Sequence, residues 1–350
     1  MTKKHIVAAC AIAASISGCA AVDSFMSEHY VSASDAGIND GPYVFIEQDN
    51  LLSARVANNE LTYTQLPQDS FPTDFPAEIS SYKSNGTVAV LSDIHGQHNL
   101  FITLLKNNNI IDEEENWSFG DGHFVITGDI FDRGPNVIES LWLVMKLEKQ
   151  AEMAGGKVHY LLGNHEYMVL LGDERYLNDK YLKTAELFKQ PYKDLFNQNT
   201  VLGRWLRSKA TVIKIDDTIY THGGLSPSFS KHKQPLDLVN NNYRITIDMP
   251  LKEVRSSPKY GIYHNRVSPV WYRGYFSGEL TVEQVADILK QYGAKRIVVG
   301  HTPQNEIKKL SNGQIFAVDT SIQTGESGQI LFFKNDVAIR AKLNGEREPL

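Results

Sequence analysis

Cysteine is nearly missing from this 350-residue chain: its two, Cys10 and Cys19, both fall in the first 19 residues. Beyond them no disulfide, no thiolate metal site and no cysteine nucleophile is possible. A basic surplus is missing too. Lys and Arg number 35 against 41 Asp and Glu, a net charge of −6, so nothing points to nucleic acid as a partner. Hydrophobic residues at 42% and charged residues at 22% exclude a mainly disordered, collagen-like or polytopic membrane chain. They suit a globular protein with a large core, built as one large domain or two smaller ones.

What is present begins with a leader. Lys3 and Lys4 precede an almost purely apolar run, Ile6 to Ile16, too short to span a bilayer as a mature helix. Residues 1–18 are expected to be a signal peptide. The tetrapeptide Ile16-Ser17-Gly18-Cys19 resembles the lipobox of bacterial lipoproteins, which implies cleavage before Cys19 and lipidation there. The alternative is an ordinary signal peptide beside a chance cysteine. Export is expected either way, to the periplasm or as an outer-membrane lipoprotein, with Cys19 the sole membrane attachment. Loss of Lys3 and Lys4 takes the net charge from −6 to −8.

Residues 19–40 are small, polar and unpatterned, a tether with a reach of about 25 Å. Residues 41–80 hold strand-like runs at Tyr43–Ile46, Leu51–Val56 and Leu61–Leu66, expected to form a small β-meander. Pro67, Pro72 and Pro76 then forbid regular structure. The main domain is expected over 81–350. Its buried strands are expected at Thr87–Leu91, Phe124–Ile126, Val158–Leu162, Thr218–Thr221, Arg296–Val299 and Ile315–Val318. Residues 136–151 predict an amphipathic helix after Pro135. Thr281 to Gln284 reads as a capping box whose helix Gly293 closes. Residues 166–208 read as a helical insertion over the sheet's end.

Nearly every predicted strand runs into polar residues. Leu91 leads into Ser92-Asp93-Ile94-His95-Gly96, and Ile126 into Gly128-Asp129-Ile130-Phe131-Asp132-Arg133-Gly134. Leu162 leads into Gly163-Asn164-His165-Glu166, Tyr220 into His222-Gly223-Gly224, and Val299 into Gly300-His301-Thr302. Asp93, Asp129 and Asn164 follow one another at 36 and 35 residues, about one βαβ unit each. Carboxyl ends of strands are where layered α/β proteins bind ligands, so the five segments can share one site. His98, His123, His159, His232 and His264 lack that context and read as structural or surface residues. His, Asp and Asn donors suit Mn, Fe or Zn and not Ca. They are too many for one tetrahedral ion and enough for two divalent ions sharing a carboxylate.

Together these segments resemble the phosphoprotein phosphatase branch of the metallophosphoesterases (calcineurin-like phosphoesterases), whose motifs read GDxHG, GDxxDRG, GNHE, HGG and a later His. The match runs over residues 87–335. The resemblance implies an α/β fold layered αββα and a metal-dependent phosphomonoesterase. It implies Asp93, His95 and Asp129 on one metal, and Asp129, Asn164, His222 and His301 on the other, with Asp129 bridging. Arg133 and Asn164 would hold phosphate, and His165 with Asp132 would be the acid/base pair. Ser92 departs from the motif's first glycine, a change expected to touch only the turn. The segment Pro269 to Gly274 resembles the Shewanella-like subgroup, which makes Arg273 the second phosphate arginine and a phosphorylated protein, on tyrosine, the substrate. Two rivals stay open: a symmetric dinucleoside tetraphosphate hydrolase, and a non-catalytic envelope lipoprotein that keeps the fold for binding.

Overall fold

A computed structural model describes residues 37–334 and 336–350. The expected signal peptide, Cys19 and most of the tether lie outside the described residues. Strands β1 (Asp40–Ile46), β2 (Leu51–Ala57) and β3 (Glu60–Leu66) form an antiparallel meander in that order, on the three runs singled out in the sequence. Twelve more follow: β4 (Ser81–Tyr82), β5 (Thr87–Leu91), β6 (His123–Ile126), β7 (Lys157–Tyr160), β8 (Val212–Ile215), β9 (Thr218–Thr221), β10 (Arg296–Val299), β11 (Lys308–Leu310), β12 (Ile315–Ala317), β13 (Gln329–Lys334), β14 (Val337–Lys342) and β15 (Arg347–Pro349).

They make two six-stranded sheets, ordered β15-β14-β13-β5-β6-β7 and β11-β12-β10-β9-β8-β4. β5, β6 and β7 run parallel, joined by helices His98–Asn107 and Val137–Met153, and β9, β10 and β12 run parallel in the second sheet. The two-residue period of β5 shows how the layers stack. Val88 and Val90 join a cluster with Val125, Ile213, Tyr220, Val298, Phe316 and Leu331, drawn from both sheets. Ala89 and Leu91 point the other way, into the core shared with Phe101, Leu104, Ile138 and Leu141 of the two helices. The result is the layered αββα fold, sheet face against sheet face with helices outside. Each fully buried aliphatic side chain at these positions contributes about 1.5–3 kcal/mol.

Helix Val137–Met153 departs from the expected amphipathic pattern, with Val137, Ile138, Ser140, Leu141, Trp142, Leu143, Val144, Met145, Lys146 and Leu147 all buried. The meander covers its outer side: Trp142 Nε1 donates to Pro42 O at 3.0 Å, and Phe71 packs on the same indole with ring centroids 5.0 Å apart. Thr281 and Gln284 cap helix Val282–Gln291 reciprocally, as expected, with bonds of 3.3 and 2.9 Å, and Gly293 follows it at φ +59°.

His98 opens its helix 3% exposed, with Nδ1 3.2 Å from Ser140 Oγ. Burial, and then the Lys180 charge, push its pKa from 6.5 down to about 4. A histidine depressed in this way takes up its proton more readily unfolded, so stability is whole above pH 6.5 and declines as pH falls toward 4. Urea midpoints of the wild type and His98→Asn should therefore differ less at about pH 5 than at about pH 7.5. A difference that does not change with pH would mean that His98 titrates in the fold as it does in the unfolded chain.

Candidate metal centre

The parallel strands of both sheets end along one edge, where their loops are laced together. Asp93 N donates to Gly128 O at 3.0 Å, His95 N to Asp129 O at 2.9 Å, and Gly300 N to His222 O at 2.8 Å. His301 N donates to Asp93 Oδ2 at 3.0 Å, which joins the two sheets. Six residues here have left-handed backbone without being glycine: Asp93 (φ +56°), His95 (+48°), Asp129 (+60°), Asp132 (+70°), Arg133 (+67°) and His301 (+66°). Each such residue costs on the order of 1–3 kcal/mol, and such strain concentrates at functional sites. Two glycines make room for it. A Cβ at Gly163 would collide with the Asp129 carboxylate, and one at Gly300 with Ser92 Oγ.

Tautomers follow from the hydrogen bonds. His222 Nδ1 faces Thr127 O at 3.0 Å and His95 Nδ1 faces Phe131 O at 2.7 Å; a carbonyl only accepts, so both rings carry a proton on Nδ1. Their Nε2 atoms are left for the site. His222 Nε2 lies 2.9 Å from Asn164 Oδ1, 3.0 Å from Asp129 Oδ2 and 3.1 Å from His301 Nδ1. His95 Nε2 lies 3.8 Å from Asp93 Oδ1 and 3.7 Å from Asp129 Oδ2, and His165 Nε2 is 3.9 Å from the same Asp129 oxygen. Gaps near 3.7 Å are too long for hydrogen bonds and suit two ligands on one cation. Two groups result, His95–Asp129–His165 and Asp129–His222–His301, each with its donor atoms within 4.8 Å of one another. Asp129 belongs to both.

The donor set fits a cation. Asn164 Oδ1, the Asp129 carboxylate and, once deprotonated, the ring nitrogens facing them offer lone pairs, and His301 Nε2 is buried with no hydrogen-bond partner among the described residues. Charge says the same. Burial, which the nearby Asp129 charge reinforces and His222 opposes, raises the Asp93 carboxyl. Burial would raise Asp129 as well, but His222 and His165 outweigh it and hold that carboxyl well below the usual carboxylate range. Burial would lower His222, but Asp129 and Asp93 lift it to about 9. A metal bound here would release the proton that these carboxylates favour on His222.

All the predicted site residues are at this edge. Asp93, His95, Asp129, Asn164, His222 and His301 are buried around one space. His165 is buried beside them, with Nδ1 2.5 Å from Asp132 Oδ2. Arg133 and Arg273 are exposed at the rim. Arg273 Nη1 donates to His301 O and, at 3.3 Å, to Thr302 Oγ1. One expectation needs correction: Ser92 does more than shape a turn, because its buried hydroxyl donates to Asp93 Oδ2 at 2.5 Å. The sequence pattern gave Asp319 no role. It is buried at the end of β12, where burial and the Asp93 charge drive its carboxyl well above the usual range.

Glu166, in the same segment as Asn164 and His165, has a role that the motif did not reveal. Its Oε2 accepts from Asp129 N at 2.8 Å and Gly163 N at 2.7 Å. Its Oε1 accepts from Ile130 N at 2.7 Å, Phe131 N at 3.2 Å and Tyr160 OH at 2.8 Å. A Glu three residues beyond the Gly163 helix cap was the available signal.

The model of the calcineurin-like phosphoesterase family matches residues 86–305. The chain belongs to that family. It is 29% identical over 261 residues to Shewanella-like protein phosphatase 1 of Plasmodium berghei (strain Anka), covering 70% of this chain and 69% of that one. It is 26% identical over 326 residues to Shewanella-like protein phosphatase 2 of Arabidopsis thaliana, covering 79% and 82%. Among solved structures, the cold-active protein-tyrosine phosphatase of a psychrophile Shewanella sp. superimposes with a TM-score of 0.85 at 39% identity, covering 89% of this chain and 99% of that one. A phosphoesterase of this family is a hydrolase that uses divalent metals, and the two donor groups are where this one can hold them.

Glu166→Gln places a carbamoyl group that must turn an NH2 toward backbone N–H donors. Metal affinity should fall about 10- to 100-fold, and stability by about 1–3 kcal/mol. Activity should return in part at saturating metal. Metal titration and urea unfolding matching the wild type would show that the loops stand without this carboxylate.

Proposed function

We propose that this phosphoesterase is a phosphomonoesterase acting on phosphorylated protein, with tyrosine the preferred residue and a dinuclear centre of Mn, Fe or Zn. The observation that carries the reading is one Asp129 carboxylate oxygen facing His95 of one ligand set and His222 of the other. Asp93, His95 and Asp129 would hold one ion; Asp129, Asn164, His222 and His301 would hold the other. When bound, the ions supply Lewis acidity and a nucleophile near neutral pH.

The chain's own residues do the rest. Arg133 and Arg273, one from each side of the rim, can fork onto phosphate oxygens with a geometry lysine would not reproduce. Asn164 would share that grip. His165 supplies the proton for the leaving oxygen. Burial opposes its charged form, but Asp129 and the hydrogen bond to Asp132 raise its pKa above the ordinary value, which keeps a proton ready. Asp132 fixes the ring's orientation at 2.5 Å. Relatives named protein phosphatases and a structural neighbour named a protein-tyrosine phosphatase support the substrate class. Export, and a lipid on Cys19, belong to the same proposal and rest on the leader's pattern alone.

A kinetic panel with several divalent ions tests the assignment. Phosphotyrosyl peptide should be turned over faster than phosphoseryl peptide or a dinucleoside tetraphosphate, and a chelator should abolish the rate. Faster turnover of the tetraphosphate, or no metal-dependent turnover of any ester, would reject it. His165→Asn should lower kcat about 10²- to 10⁴-fold on an alkyl or seryl phosphate and clearly less on para-nitrophenyl phosphate, whose leaving group needs little protonation. Asp132→Asn should follow the same trend more mildly. Equal losses on both esters, with metal content intact, would make His165 a phosphate-positioning group instead.

Cell fractionation tests the leader. Cys19→Ser should leave the precursor unprocessed or move the protein out of the detergent-extracted membrane fraction. Unchanged fractionation with a different mature terminus would defeat the anchor.

A further inference from the structure

Tyr176 lies in the turn between helices Asn164–Leu170 and Asp179–Phe188, and it is 46% exposed. It is nonetheless held in place. Its carbonyl accepts from Arg133 N at 2.9 Å, and two residues on, Asn178 Nδ2 donates to Arg133 O at 2.8 Å. Its ring centroid is 5.3 Å from that of His165 and 5.7 Å from the guanidinium carbon of Arg133. Arg175 packs on the same ring at 5.7 Å, and its own charge is taken up by Asp173 at 2.7 and 2.8 Å. An aromatic face thus stands at the rim, touching both the group that delivers the proton and a group that grips phosphate.

The proton from His165 must reach the leaving oxygen, so that oxygen lies within hydrogen-bond reach of the imidazole. In an aryl ester the next atoms are a ring, and within that reach a ring meets the Tyr176 face at aromatic contact distance. In a seryl ester the next atom is a methylene, which offers little to stack. We propose that Tyr176 is a specificity-determining residue: it forms the wall on the leaving-group side and favours aryl phosphates, phosphotyrosyl residues among them, through ring-to-ring contact. The inference rests on the phosphomonoesterase reading and on His165 as the acid.

The test is the ratio of kcat/KM on phenyl phosphate to that on glycerol phosphate, in metal-loaded wild type, Tyr176→Phe and Tyr176→Ala of equal metal content. An aromatic pair contributes enough for the ratio to fall about 5- to 10-fold in Tyr176→Ala. Tyr176→Phe, which keeps the ring, should hold the wild-type ratio. The same loss on both esters would make Tyr176 a brace for His165 and Arg133 and overturn the proposal, as would an unchanged ratio in Tyr176→Ala. Phosphotyrosyl and phosphoseryl peptides run on the wild type keep the two readings apart. No preference between the peptides would reject tyrosine as the physiological target, while the phenyl-to-glycerol ratio would still decide Tyr176.

Discussion

The centre depends on one buried carboxylate that touches no substrate. Beyond β6 the chain turns sharply through Asp129, Ile130 and Phe131, and a turn of this kind leaves backbone N–H groups with no strand or helix to receive them. Buried and unpaired, each would cost about 1–3 kcal/mol. Glu166 receives three of them, together with Gly163 N and the Tyr160 hydroxyl. One side chain therefore satisfies the loop after β6 and fastens it to the loop after β7. The Asp129 side chain is then free to aim inward, with Oδ1 held by His165 N at 3.0 Å and Oδ2 facing three imidazoles. Two short motifs 35 residues apart are parts of a single structure.

That arrangement concentrates charge where water is scarce. Asp93, Asp129, Asp132 and Glu166 are all buried, and Asp319 is buried behind them. Buried acids are tolerable only when paired, protonated or bound to a cation. Glu166 is answered by five donors and Asp132 by His165. For Asp93 and Asp129 the local answer is partial, a serine hydroxyl and a backbone N–H on one and imidazoles on the other. Divalent cations complete it, so the same electrostatics that make the metals useful to a reaction make them useful to the fold.

Much of this was legible in the sequence because the site is written in backbone terms. A strand that runs into a glycine-flanked polar ligand, five times over, is a local pattern, and every ligand it named lies at one sheet edge. What escaped notice depends on tertiary contact. The strands β13, β14 and β15 complete the first sheet only by pairing with β5, and nothing local to Gln329–Lys334 reveals that partner. Helix Val137–Met153 looked half-exposed because its cover comes from residues 40–71, about a hundred positions earlier. Ser92 looked like a turn substitution because its acceptor is a side-chain oxygen. Tyr176 sits in a polar loop, where an aromatic carries no periodic signal at all.

The segments outside the motifs also acquire a purpose from their contacts. Asp40 at the start of β1 is buried, where it accepts from Tyr43 OH and Thr184 Oγ1, each at 2.7 Å, and pairs with Lys180 Nζ at 3.3 Å. Lys180 in turn donates to Pro135 O at 2.7 Å, and the Tyr181 hydroxyl donates to the same carbonyl at 2.8 Å. Asn178, one turn earlier, holds Arg133 O. The meander braces the helical insertion, and the insertion braces the loop that presents Arg133 with left-handed backbone. A guanidinium that is to meet phosphate in one orientation, as proposed for Arg133, cannot stand on a loose turn. The small sheet and the insertion are therefore part of the support for the Arg133 loop, two layers removed from it, and their buried polar contacts fall on the path that leads there.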